Sequence, residues 1–101
     1  MEIINSNIDE LNYGEDIGEL FDVIYQGNKL KAPIGVTCIN TDADGHITAW
    51  VGLKPSVIKY NKNIGMWCNT SEDSSDGTIT FIGKAKVDTF ITEETMEIFN
   101  D

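Results

Sequence analysis

The chain has 101 residues, 41 % of them hydrophobic, which suits one domain over 1–101 with one core and argues against disorder. Seventeen acids against seven lysines, with no arginine, give a net charge of −10. That balance lacks the cations that release counterions from nucleic acid, so direct nucleic-acid binding is not expected. No apolar run approaches the ~20 residues that a membrane helix needs. The N-terminal "MEIINSNIDE" has neither a basic start nor an apolar stretch, so it does not read as a signal peptide and a membrane location is not expected. The expected compartment is the cytoplasm, including that of an infected host.

The charge is unevenly placed. Residues 1–28 carry seven acids and no base, 29–67 carry five lysines against Asp42 and Asp44, and 68–101 carry eight acids against Lys84 and Lys86. Cys38 and Cys68 stand alone with a single histidine, which excludes a Cys/His zinc set within one chain. Both read as small apolar residues.

In chain order, "SNIDELN" suggests a short turn of helix. "EDIGELFDVIYQ" (15–26) predicts an amphipathic helix: Ile17, Leu20, Phe21 and Ile24 share one face, with Asp16 as N-cap and Gly27-Asn28 as the stop. From Pro33 the period becomes two. "IGVTCI" and "HITAWVGL", joined by "NTDADG", predict an antiparallel hairpin. "SVIKY" is a short strand or a helical turn, and "IGMWC" a strand. "GTITFIGKAKVDTF" (77–90) is the longest strand, with Ile79, Phe81, Ala85 and Val87 facing in and a bulge at Gly83. Thr92 caps a last short helix in "EETMEIF". The predicted fold is α+β and mainly antiparallel. It is a strongly bent sheet or small partly closed barrel with an N-terminal amphipathic helix and a short C-terminal helix.

"INTDADGHITAW" (39–50) matches the front half of an EF-hand loop, with Asn40, Asp42, Asp44, Gly45 and Ile47 in step. The closing bidentate Glu is replaced by Val51, and strands flank the loop. A turn is expected and calcium is not. His46 is assigned no catalysis. "NTS" (69–71) fits a glycosylation acceptor and "TSEDSSD" an acidic phosphosite, and a solvated loop is the plainer reading of both. Trp50 and Trp67 fall opposite the inner alternation, which leaves burial under the helix and exposure in a binding patch both open.

The pieces "IGVTCINTDADGHITAW", "KPSVIKYNKNIGMW" and "DGTITFIGKAKV" resemble the FMN-binding split β-barrel family related to pyridoxamine-phosphate oxidase, over about residues 34–88. The resemblance implies FMN as cofactor, with Lys54, Ser56 and Lys59 on the phosphate side and a homodimer completing the site. Two of that family's features are absent: a strand before the Ser/Lys segment, and an arginine for the phosphate. The function expected is thus a small flavin-binding or degenerate, cofactor-free split-barrel protein. The alternative is an acidic interaction module or inhibitor of the phage or mobile-element type, binding a basic protein surface. A DNA mimic is one form of it, with Glu15, Asp16, Glu19 and Asp22 spaced along the outer side of the helix.

Overall fold

A computed structural model describes residues 1–72 and 77–99. Residues 73–76, part of the stretch with the phosphosite pattern, lie outside the described residues. The elements are β1 (Ile3–Asn5), α1 (Ile8–Leu11), β2 (Leu20–Tyr25), β3 (Asn28–Pro33), β4 (Val36–Thr41), β5 (His46–Val51), β6 (Ile58–Asn61), β7 (Met66–Asn69), β8 (Thr78–Ala85) and β9 (Glu97–Ile98). Short 3-10 turns cover Pro55–Val57 and Thr92–Glu94.

The predicted α+β fold is overturned. The longest helix, α1, has four residues. Among the described residues the strands form a five-stranded sheet in the order β1-β8-β5-β4-β9 and two separate hairpins, β2–β3 and β6–β7, all antiparallel. The sheet ends in free edges at β1 and β9, so there is no closed barrel.

The amphipathic helix expected over 15–26 is the β2–β3 hairpin. That window carries both periods, and the period of two wins. Val23 and Tyr25 turn inward beside Leu30 and Ala32 of the partner strand. Gln26 and Gly27 both have positive φ (49° and 76°) and make the two-residue turn between the paired Tyr25 and Asn28. Gly18, at φ 80°, is incompatible with a helix, and Asp16 accepts the Gly18 N–H locally at 2.9 Å instead of capping one. The expected C-terminal helix is also absent. After the turn at Thr92–Glu94 the chain extends as β9 along β4. Met96 and Phe99 then pack against opposite sides of the sheet, the alternation of a strand. The short turn of helix in "SNIDELN" is present as α1, capped by the Asn7 side chain.

A hairpin packs against each face of the sheet. On one face Val36, Ile39, Ile47, Ala49, Ile82 and Ala85 meet the inward side of β2–β3. Tyr25 is fully buried there, and its hydroxyl donates to the Thr95 carbonyl (2.8 Å) while lying 2.7 Å from Thr41 Oγ1. On the other face Cys38, Trp50 and Leu53 pack with Ile58 of β6 and Trp67 of β7. Burial on both sides explains why β4 and β5 are buried almost residue by residue. Trp50, 7 % exposed, is covered by a hairpin and not by a helix. Its indole N–H donates to Asn40 (3.1 Å), and that of Trp67 to the Thr41 carbonyl (3.1 Å). Both cysteines are free thiols.

The bulge expected at Gly83 is present: the β5–β8 register slips between Ile47↔Gly83 and Thr48↔Phe81. It shifts the inner face of β8. Thr80, Ile82 and Ala85 are buried, whereas Ile79 and Val87, both expected inside, are about half exposed. No helix is long and apolar enough to cross a membrane among the described residues.

Candidate functional site

The segment after β5 turns sharply. Pro55 starts a 3-10 turn with its φ already set, and Lys54 stands at the cap position in extended conformation. The Lys54 carbonyl accepts the Val57 N–H at 3.1 Å. The Val57 carbonyl is in turn held by Thr70, through its N–H (2.8 Å) and its hydroxyl (2.7 Å). The Thr37 hydroxyl lies within hydrogen-bond distance of the carbonyls of both Trp50 and Leu53, its one proton shared between them, and so fixes the stem of the turn. The turn thereby holds Lys54 and Ser56 exposed on a braced backbone.

Across from it lies β9. The Phe99 N–H donates to the Thr37 carbonyl (2.9 Å), and Cys38 pairs with Ile98. Lys54, Pro55, Ser56, Met96 and Ile98 line a hollow of about 420 Å³. That volume falls in the range of small-ligand sites, roughly 300–1,000 Å³. Its apolar part is Pro55, Met96 and Ile98, with Ile98 59 % exposed. Its charge is Lys54, which makes no ion pair among the described residues.

Of the three phosphate-side residues implied by the resemblance, Lys54 and Ser56 come together here and Lys59 does not. Lys59 follows the inward-facing Ile58 on β6, so alternation turns it away from the sheet. Met96 and Ile98 were missed because their segment reads as a helix. Their alternation with Glu97 and Phe99 is the signal that marks them.

Lysines gather at one other place. Ser6, Asp22, Lys29, Leu30 and Lys31 line a hollow of about 220 Å³. There Asp22 bridges Lys29 (3.4 Å) and Lys31, and the Lys31 hydrogen bond, helped by both lysine charges, outweighs the opposing effect of burial and holds its carboxyl below the usual range. Both lysines here are held by Asp22, whereas Lys54 has no ion pair among the described residues. Asp22 is therefore not free to serve in a row of acids on a helix, and the helix itself is absent.

The loop that resembles a calcium site closes the β4–β5 hairpin, as expected. Gly45 has φ 94°, and a Cβ there would lie 2.2 Å from the Ala85 carbonyl oxygen, so only glycine fits. Asn40 is committed to Trp50. Asp42 Oδ1 accepts the Trp67 N–H at 2.8 Å. Asp44 accepts the His46 N–H (3.0 Å) and contacts its ring Nδ1 (2.9 Å). Burial pushes the Asp42 carboxyl up from the usual range, partly opposed by the Trp67 N–H. Burial also pushes Asp44 up, but the His46 backbone and ring outweigh it and hold Asp44 down. Among the described residues no group of three or more His, Cys, Asp or Glu is placed to hold a metal.

The chain was compared with family models, curated proteins and solved structures, and nothing matches it in any of the three.

Proposed function

We propose that the chain binds a small flat anionic ligand in the hollow between the Pro55–Val57 turn and β9, and that FMN is that ligand. The observation that carries this is the convergence of Lys54, which has no ion pair among the described residues, and the Ser56 hydroxyl with the apolar Pro55, Met96 and Ile98 on one hollow. A cation and a hydroxyl suit a phosphate, and the apolar side suits a ring system. Lys54 is the only lysine lining this hollow and the chain has no arginine, so phosphate affinity rests on a single cation. FMN, when bound, supplies redox chemistry; the residues here hold and orient it. The test is titration of the purified protein with FMN, read by quenching of flavin fluorescence. Saturable quenching is expected, weakened about tenfold in Lys54→Ala through loss of a charged contact and unchanged in Lys59→Ala. Equal uptake by wild type and Lys54→Ala would place the ligand elsewhere.

A second reading is a module that docks on a basic protein surface. Glu2, Asp9, Glu10, Glu15, Asp16 and Glu19 are all exposed, and none is in an ion pair among the described residues. Binding to a basic partner that weakens steeply with salt, in a protein that ignores FMN, selects this reading.

A further inference from the structure

The wall that β9 gives to the Lys54 hollow hangs on little backbone pairing. β9 is the last strand of the sheet and pairs on one side only, through Cys38↔Ile98 and Ile39↔Glu97. A two-residue edge strand is too short to fix its own position. It is held instead by alternate residues that reach the far side of the sheet. Before the strand, the Thr41 N–H donates to Thr95 Oγ1 (2.9 Å) and the Tyr25 hydroxyl to the Thr95 carbonyl (2.8 Å). After it, Phe99 packs into the core under β2–β3. Between them Glu97 Oε2 accepts two bonds from one residue, from the Gln26 backbone N–H at 2.7 Å and from Gln26 Nε2 at 3.0 Å. Met96 and Ile98, one step out of phase, line the hollow on the opposite side.

Glu97 therefore stands between the two residues that wall the hollow. It is partly buried and has no ion pair among the described residues, so the Gln26 donors are its recorded partners. Bonds to a carboxylate are stronger than neutral ones. Gln26 in turn keeps a left-handed backbone (φ 49°), a conformation that costs a non-glycine residue, and the bond to Glu97 offsets that cost. The turn of the β2–β3 hairpin and the strand β9 thus fix each other.

We propose that the Glu97–Gln26 clamp positions β9 and thereby sets whether Met96 and Ile98 are placed to receive a ligand. Glu97 is a positioning residue, since its carboxylate lies on the side of the sheet away from the hollow. The identity of the ligand rests on the FMN reading; the placement of Met96 and Ile98 rests on the clamp alone. Coupling of this kind is reciprocal, so a ligand that fixes Met96 and Ile98 also tightens the clamp.

The test compares wild type, Glu97→Ala and Glu97→Gln by FMN fluorescence titration and by amide hydrogen exchange with and without FMN. Glu97→Gln keeps a carbonyl oxygen for the Gln26 N–H, whereas Glu97→Ala keeps none. Glu97→Ala should weaken FMN uptake about tenfold, and Glu97→Gln by no more than about threefold. In the ligand-free chain the Phe99 amide, which donates to the Thr37 carbonyl, should exchange faster in Glu97→Ala than in the other two. Amides of β5 and β8 should keep their wild-type rates. FMN should slow exchange of the wild-type Gln26 amide, although no residue of β2 or β3 lines the hollow. If wild type takes up no FMN, the FMN reading fails and the Phe99 rates alone decide the clamp. The proposal is overturned if Phe99 exchanges alike in all three chains. It is also overturned if Glu97→Ala takes up FMN as tightly as wild type, or if Glu97→Gln fails to rescue uptake. A Glu97→Ala chain that does not fold overturns it too, because the clamp would then support the whole domain and not β9.

Discussion

One face of the central sheet is sealed and the other is not. The sealed face meets β2 and β3, six residues each, over an almost wholly aliphatic contact closed by Tyr25. The open face meets β6 and β7, four residues each. At ~3.3 Å per residue the shorter hairpin spans roughly 13 Å, too little to cover a five-stranded sheet. Two hollows lie on this side: one beside β9, where Met96 packs with Cys38 and Trp50, and one where His46 and Phe81 meet. The polar groups threaded into this side, Asn40, Asp42 and the two indoles, hold the cover in place through directed hydrogen bonds. Stability is thus concentrated on one face, and the proposed FMN site lies on the other.

Substitutions sharpen that division. Ile39→Ala, at a fully buried site on the sealed face, should lower unfolding free energy by about 2–5 kcal/mol in a denaturant titration. Tyr25→Phe should cost about 1–3 kcal/mol, because Thr41 and the Thr95 carbonyl lose their partner inside the core. Lys54→Ala, on the open face, should change stability by less than about 0.5 kcal/mol while reducing FMN uptake. A Lys54→Ala loss as large as that of Ile39→Ala would break the division.

A pH effect separates the faces further. Burial raises the folded-state carboxyl of Asp42, so the folded state holds that proton more tightly than the unfolded chain does. The stabilisation from this proton is full below the unfolded value and is lost as pH rises through the folded one. Asp42→Asn should remove that slope, leaving the variant no less stable than wild type near pH ~7. Denaturant midpoints measured across acidic pH check this. A steeper slope in the variant would contradict the burial of a charged Asp42.

The part of the fold carried by local pattern was legible. The 36–51 hairpin, its Asp-Gly turn and the bulge at Gly83 follow from alternation and glycine placement. The 15–26 segment was not, because Ile17, Leu20, Phe21 and Ile24 fit a helix while Phe21, Val23 and Tyr25 fit a strand. The choice was made by pairing with Asn28–Pro33 and by two residues with positive φ. The same holds at the site. Lys54 and Ser56 of the proposed site were named through the resemblance alone. Met96 and Ile98 reach the hollow only because β9 docks on β4, a contact between segments far apart in the chain.

The most direct measurement is a ¹H–¹⁵N chemical-shift map of the protein with and without FMN. The account predicts saturable shifts at the amides of Lys54, Ser56, Met96 and Ile98, with those of Asp42, His46 and Trp67 unmoved. Shifts centred on the sealed face, or none at saturating FMN, would contradict it.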